Sequence, residues 1–181
     1  EKPKLLTICG SLNLFEHPVR DIRQFADAVG AYVMFDAAHQ CGIIAGKEWT
    51  NPLDEGAHFM TMSTYKSLGG PAGGLIVSND AEIAKRLYAI AFPGMTANFD
   101  AAKSAALAIT MLDWRDFGAA YAAEMIALSI DLATALDIAG IPVFSGSEGF
   151  TKSHQFAVCA EAFGGEESAS KKRCATQGFL P

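Results

Sequence analysis

Leu5 to Cys9 is a short apolar run between Pro3 and Gly10, and it reads as a buried strand. Pro18 then marks a helix start, with Val19, Ile22, Phe25, Ala26 and Val29 recurring at helical spacing and Gly30 suited to the end. Ala31 to Phe35 is a second apolar strand that stops at Asp36. Phe59 to Met62 is a third, and Leu75 to Val77 a fourth, bracketed by Gly73-Gly74 and Asn79-Asp80. Asp80 suits the N-cap of a helix through Ala81, Ile83, Ala84 and Leu87.

This alternation of strand and helix indicates an α/β domain built on a mainly parallel sheet. In such sheets ligands sit beyond the carboxyl ends of the strands. Asp36 falls at one such end and Lys66 just past another. From Phe99 to Gly140 alanine, leucine and isoleucine dominate at helical spacing, which predicts two helices broken near Trp114 to Gly118. A further break falls at Gly140-Ile141-Pro142. Gln155 to Ala160 reads as a strand opening a smaller region, and Gly164-Gly165 through Lys172 as a polar surface loop running into a helix.

Composition narrows the function classes. The 181 residues carry a formal net charge of −6, with basic residues scattered apart from Lys171-Lys172-Arg173, so nucleic-acid binding is not expected. Cys9, Cys41, Cys159 and Cys174 form no CxxC pair, and reduced thiols in a cytoplasmic protein are expected. No signal peptide is evident. The apolar stretch Ala119 to Ile141 is interrupted by Glu124, Asp131 and Asp137, so no membrane span is expected. His58 makes no metal triad with Asp54 and Glu55, and no metal site is expected. Gly69-Gly70-Pro71-Ala72-Gly73-Gly74 lacks the Lys-Ser/Thr ending of a phosphate loop and reads as a tight turn. The chain starts at Glu1 rather than Met and ends at Leu180-Pro181, and a piece of a longer protein is expected.

Two segments carry candidate chemistry: Asp36-Ala37-Ala38-His39-Gln40-Cys41-Gly42, and Thr61 to Gly74 around Thr64-Tyr65-Lys66. A strand-end carboxylate, an imidazole, a hydroxyl-rich turn and a lysine are the group types that pyridoxal phosphate requires. The lysine holds its aldehyde, the carboxylate its pyridinium, the imidazole a ring face and hydroxyls its phosphate.

The ordered pattern D-x-A-H-x-x-G-x-x-A-G, then Asn51-Pro52, then T-x-S-T-x-K-x-L-x-G-P-x-G-G resembles the serine hydroxymethyltransferase (glycine hydroxymethyltransferase) family. Gly30-Ala31-Tyr32 and Phe92-Pro93-Gly94 are similar too. The likeness runs from about Leu5 to Asp113 and more weakly through His154. It implies a three-layer, type I pyridoxal-phosphate-dependent transferase fold. Residues 1–113 would belong to the large cofactor-binding domain, and 114–181 to a connecting helix and the start of a smaller C-terminal domain.

By position, the resemblance implies Lys66 as the Schiff-base lysine, Asp36 as the pyridinium partner and His39 as the stacked imidazole. Ser11 would contact the cofactor's phenolic oxygen, Thr64 would be a cofactor-binding hydroxyl, and Tyr65 would join Lys66 and His39 as a catalytic group. The family has His where this chain has Tyr65, and Arg where it has Ala72. Met95-Thr96-Ala97-Asn98 replaces Q-G-G-P, and Ser11-Leu12-Asn13-Leu14 replaces S-A-Y-x-R. The implied function is conversion of serine to glycine, with an amino-acid substrate, tetrahydrofolate as candidate cosubstrate, and a homodimer or tetramer sharing active sites. The alternatives are a folate-independent aldolase or α-substituted-serine enzyme, an aminotransferase of the same fold, and a catalytically idle cofactor-binding homologue.

Overall fold

The computed structural model describes residues 2–163. The polar 164–172 segment, Arg173 and Cys174 lie outside the described residues. Four strands form one sheet in the order β1 (Leu5–Ile8), β2 (Tyr32–Asp36), β3 (Phe59–Ser63) and β4 (Gly74–Val77). β1, β2 and β3 are parallel, with Ile8 opposite Phe35 and Asp36 opposite Thr61, while β4 returns antiparallel beside β3. The sheet is therefore mainly parallel, and β2 and β3 end side by side.

Alternation along the strands divides the two faces. Val33, Phe35 and Met60 point into a core with Ile8, Ala31, Ala37, Cys41, Ala57 and Leu68. Helix α1 (Val19–Val29) buries Val19 and Ala26 in that core and ends at Gly30, whose φ of 70° is the left-handed cap that glycine adopts at low cost. On the opposite face α3 (Ala81–Ala89) stands off the sheet. A cavity of about 160 Å³ separates its Ile83 and Leu87, and the following Ile90, from Tyr32 and Phe59. Asp80 caps α3, its carboxylate accepting the N–H groups of Glu82 and Ile83.

The short helix α2 (Cys41–Ala45) follows β2 and packs on α4 (Ala101–Ile138). The expected break at Trp114 to Gly118 is absent: α4 runs unbroken for 38 residues, and the boundary expected at 113/114 falls inside it. Gly118 serves packing instead. The α2 C-cap Gly46 crosses so closely that a Cβ there would lie 2.2 Å from the Cβ of Ala122 and 2.6 Å from the carbonyl oxygen of Gly118. Trp114 is tied to the turn after β3, its indole N–H donating to the carbonyl of Leu68 at 2.7 Å. Half-buried Leu107, Thr110 and Trp114 continue into buried Gly118, Ala122, Ser129 and Ala133, one stripe at helical spacing.

The rest of α4 is also apolar, with Ile109, Phe117 and Ile138 exposed. By length and composition alone, α4 is long and apolar enough to cross a membrane, its acids notwithstanding. The interrupting carboxylates leave the mean hydropathy of one stretch at 1.4. The expected strand from Gln155 to Ala160 is not formed either. Val158 makes only an isolated antiparallel bridge to Val143, and Ala160–Phe163 is a 3₁₀ turn. With no neighbouring strand at Gln155, its side chain turns to the site instead.

Candidate active site

Asp36 ends β2, and Lys66 lies three residues past the end of β3, on the turn that joins β3 to β4. Parallel pairing of β2 and β3 brings those ends together at the sheet's carboxyl edge, where α/β folds hold ligands. His39 sits between them, with its Nε2 3.1 Å from Lys66 Nζ. Both residues are half-buried. One oxygen of Asp36 accepts the N–H of Ala38 at 3.1 Å, and the other has no hydrogen-bond partner among the described residues.

Ser67 clips the two loops together. Its Oγ donates to the carbonyl of His39 and accepts the N–H of Gly42 at 2.9 Å. Thr64 is buried and closes the turn: its hydroxyl donates to the carbonyl of Pro71, its N–H to Gly73, and its own carbonyl accepts from Gly70. Tyr65 is exposed, and no hydrogen bond joins it to Lys66 or His39 among the described residues. Ser11 is exposed as well and meets the site through its backbone carbonyl.

Behind His39 lies an amide network absent from the motif-based reading. Gln155 Nε2 donates to the carbonyl of Ser11 at 2.9 Å and stands 3.5 Å from His39 Nδ1. Gln155 Oε1 accepts from the N–H of Asn13 at 3.2 Å and from Gln40 Nε2 at 3.1 Å. Gln40 Oε1 in turn accepts from Asn13 Nδ2 at 3.0 Å. Gln40 is fully buried and Asn13 nearly so. The available clue was local: Gln40 is an uncharged polar residue that, beside His39, interrupts the apolar run from Ala37 to Ala45, and a buried amide must find partners. Its partners are distant in sequence, so no spacing rule names them.

Burial sets the electrostatics. His39 is held below its ordinary value by desolvation and then by the Lys66 charge, with Asp36 opposing. Burial pushes the Cys9 thiol up to about 11; an N–H contact from Gly10 opposes this and the Asp36 charge adds to it. Cys9 is therefore a protonated thiol at neutral pH, donating to Asn13 Oδ1 at 2.8 Å, and not a nucleophile. The histidines outside the site also have partners. His17 meets Asn13 at 2.9 Å, and His58 Nδ1 accepts the N–H of Val33 at 2.9 Å.

A carboxylate with a free oxygen, an imidazole and an amine converging at a strand edge are the donor set that pyridoxal phosphate requires, and these residues fit it. The family model for serine hydroxymethyltransferase matches residues 1–170. The chain belongs to the serine hydroxymethyltransferase family. It is 60% identical to alpha-methylserine aldolase from Ralstonia sp over 170 residues, and 62% identical to alpha-methylserine aldolase from Variovorax paradoxus over 171 residues. It is 42% identical to serine hydroxymethyltransferase from Sulfolobus acidocaldarius over 170 residues. These alignments cover 94% of this chain and 39% of each relative, so the chain spans about two fifths of the length of the curated relatives it matches.

Among solved structures, L-threonine transaldolase from Pseudomonas fluorescens, in its internal aldimine state, aligns with a TM-score of 0.76 and 26% identity. That match covers 86% of this chain and 36% of the other. The resemblance read from the two motifs is thus borne out, and the fold is the type I α/β fold it implied.

Proposed function

We propose that the whole protein is a pyridoxal-phosphate-dependent aldolase that cleaves the Cα–Cβ bond of a β-hydroxy amino acid carrying an α-methyl group. Bound at Lys66, pyridoxal phosphate supplies an electron sink for the pair left on Cα when that bond breaks. Asp36 would hold the proton on the ring nitrogen through its free oxygen. His39 would cover one ring face, and Lys66 Nζ would hold the aldehyde carbon and exchange with the substrate amine. For α-methylserine the atoms balance as alanine plus formaldehyde: the hydroxyl proton leaves, the carbonyl forms, and Cα takes up a proton. An α-methyl substrate has no Cα–H to lose, so routes that begin by removing that proton are closed to it.

The observation that carries this reading is the difference in likeness. Identity is 60–62% to the alpha-methylserine aldolases and 42% to a serine hydroxymethyltransferase, over the same stretch of chain. The replacements Tyr65 and Ala72 support it, because they lie on the lysine turn where the sequence pattern of folate-using relatives carries His and Arg. Folate-dependent conversion of serine to glycine is the second reading, favoured by the family model itself. Exposed Phe117 and Ile138 on α4 and exposed Met95 before it support burial of this surface by further chain in the whole protein.

The test is turnover by the full-length protein loaded with pyridoxal phosphate. Formaldehyde release from α-methylserine without folate, abolished in Lys66→Ala, is the expected result. Serine cleavage that requires tetrahydrofolate, with α-methylserine inert, would overturn it.

A further inference from the structure

Gln155 belongs to no motif, yet its amide is oriented by the backbone. Its Oε1 meets the N–H of Asn13 and its Nε2 meets the carbonyl of Ser11. A backbone N–H only donates and a carbonyl only accepts, so the two ends of the amide cannot be exchanged without breaking both bonds. Gln40, fully buried, holds the same arrangement from the other side through Oε1 of Gln155. One N–H of Nε2 is used by Ser11, and the second faces His39 Nδ1 at 3.5 Å. A donor at that point requires a lone pair on Nδ1, and a neutral imidazole with a bare Nδ1 carries its proton on Nε2. That nitrogen lies 3.1 Å from Lys66 Nζ.

We propose that Gln155 is a positioning residue that holds His39 in its Nε2–H tautomer and so turns a donor, not an acceptor, toward Lys66 Nζ. An ammonium group at Lys66 finds no acceptor on such a ring, whereas an uncharged amine there would accept its N–H. The other titratable groups bearing on His39 are Lys66, Asp36 and His154. Burial favours the neutral ring on which the tautomer choice depends. The inference rests on His39 and Lys66 forming the cofactor site, and is independent of which substrate is cleaved there.

The experiment is ¹⁵N NMR of histidine-labelled full-length protein stripped of cofactor, with the His39 signals identified by their loss in His39→Asn. Wild type is expected to show a bare Nδ1 and a protonated Nε2. Gln155→Glu presents an acceptor to Nδ1 and is expected to move the proton there and raise the His39 titration midpoint. Gln155→Leu is expected to leave a tautomer mixture. If Gln155→Leu does not fold, wild type and Gln155→Glu decide alone. A wild-type Nδ1–H ring, or the wild-type tautomer persisting in Gln155→Glu, overturns the proposal. The measurement uses neither cofactor nor substrate, so it can fail while the aldolase reading stands, and the reverse.

Discussion

Gly42 and Ser67 are held in direct contact: the Gly42 N–H donates to Ser67 Oγ at 2.9 Å, and a Cβ on Gly42 would lie 2.4 Å from the carbonyl oxygen of Ser67. The loop after β2 carries Asp36 and His39, and the turn after β3 carries Lys66. This one close approach sets the spacing between them. Gly42→Ala puts a methyl group against backbone, which cannot move away by a rotamer change. It is expected to cost about 1–3 kcal/mol of stability. It should also weaken cofactor attachment out of proportion, because Ser67 adjoins Lys66. Urea denaturation and the visible absorbance of lysine-bound pyridoxal phosphate check the two effects. Unchanged absorbance would show that the contact does not govern the site.

Gly46 makes the comparable contact away from the chemistry. A Cβ there would overlap Ala122 and the carbonyl of Gly118. Gly46→Ala should therefore also destabilise by about 1–3 kcal/mol, since α2 and α4 must separate. Cofactor absorbance of the folded fraction should stay close to wild type, because the strain falls on the contact with α4, one turn along α2 from the contact with Ser67. Equal loss of absorbance in both glycine variants would contradict the division of roles drawn here.

Asp36→Asn keeps an oxygen to accept the Ala38 N–H and removes the charge. Stability should change by less than about 1 kcal/mol, the scale of one ordinary hydrogen bond. Turnover by the loaded full-length protein should fall by about 100-fold or more, as for loss of a positioned acid–base group. Thermal denaturation and single-turnover kinetics separate the two. Retained turnover would remove Asp36 from the reaction.

All four histidines are held below their ordinary value of 6.5, with burial the first cause in each. As pH falls below 6.5, the unfolded chain takes up protons that the folded chain resists. The unfolded state then binds more protons, and stability rises with pH in that window and falls with acid. Above 6.5 both states carry neutral rings and this contribution is flat. Urea midpoints measured from about pH 7.5 down to about pH 5 should decline only in the lower part of the range. A flat profile would mean that the rings titrate alike in both states.

Much of the frame was legible in the chain because it depends on local pattern. The four strands, the Pro18 helix start, the Gly30 cap and the Asp80 cap were read from neighbouring residues, and those interactions are local. Asp36 and Lys66 were placed at strand ends by the same logic, and the family pattern named them together. Trp114 to Gly118 misled because glycine lowers helix propensity by about 1 kcal/mol. Propensity does not register that Gly118 is where α2 presses against α4.

By itself, the sequence determined the four strands, the ends of α1 and the start of α3, the family, and the residue types at the strand ends, since each is written in adjacent residues or in ordered motifs. Tertiary structure alone decided how His39 is held. Its Nδ1 faces Gln155, 116 positions away, and Gln155 is in turn oriented by Ser11, Asn13 and Gln40. Hydrogen-bond direction depends on which polar atoms meet after the chain has folded, and no spacing along the chain encodes that meeting.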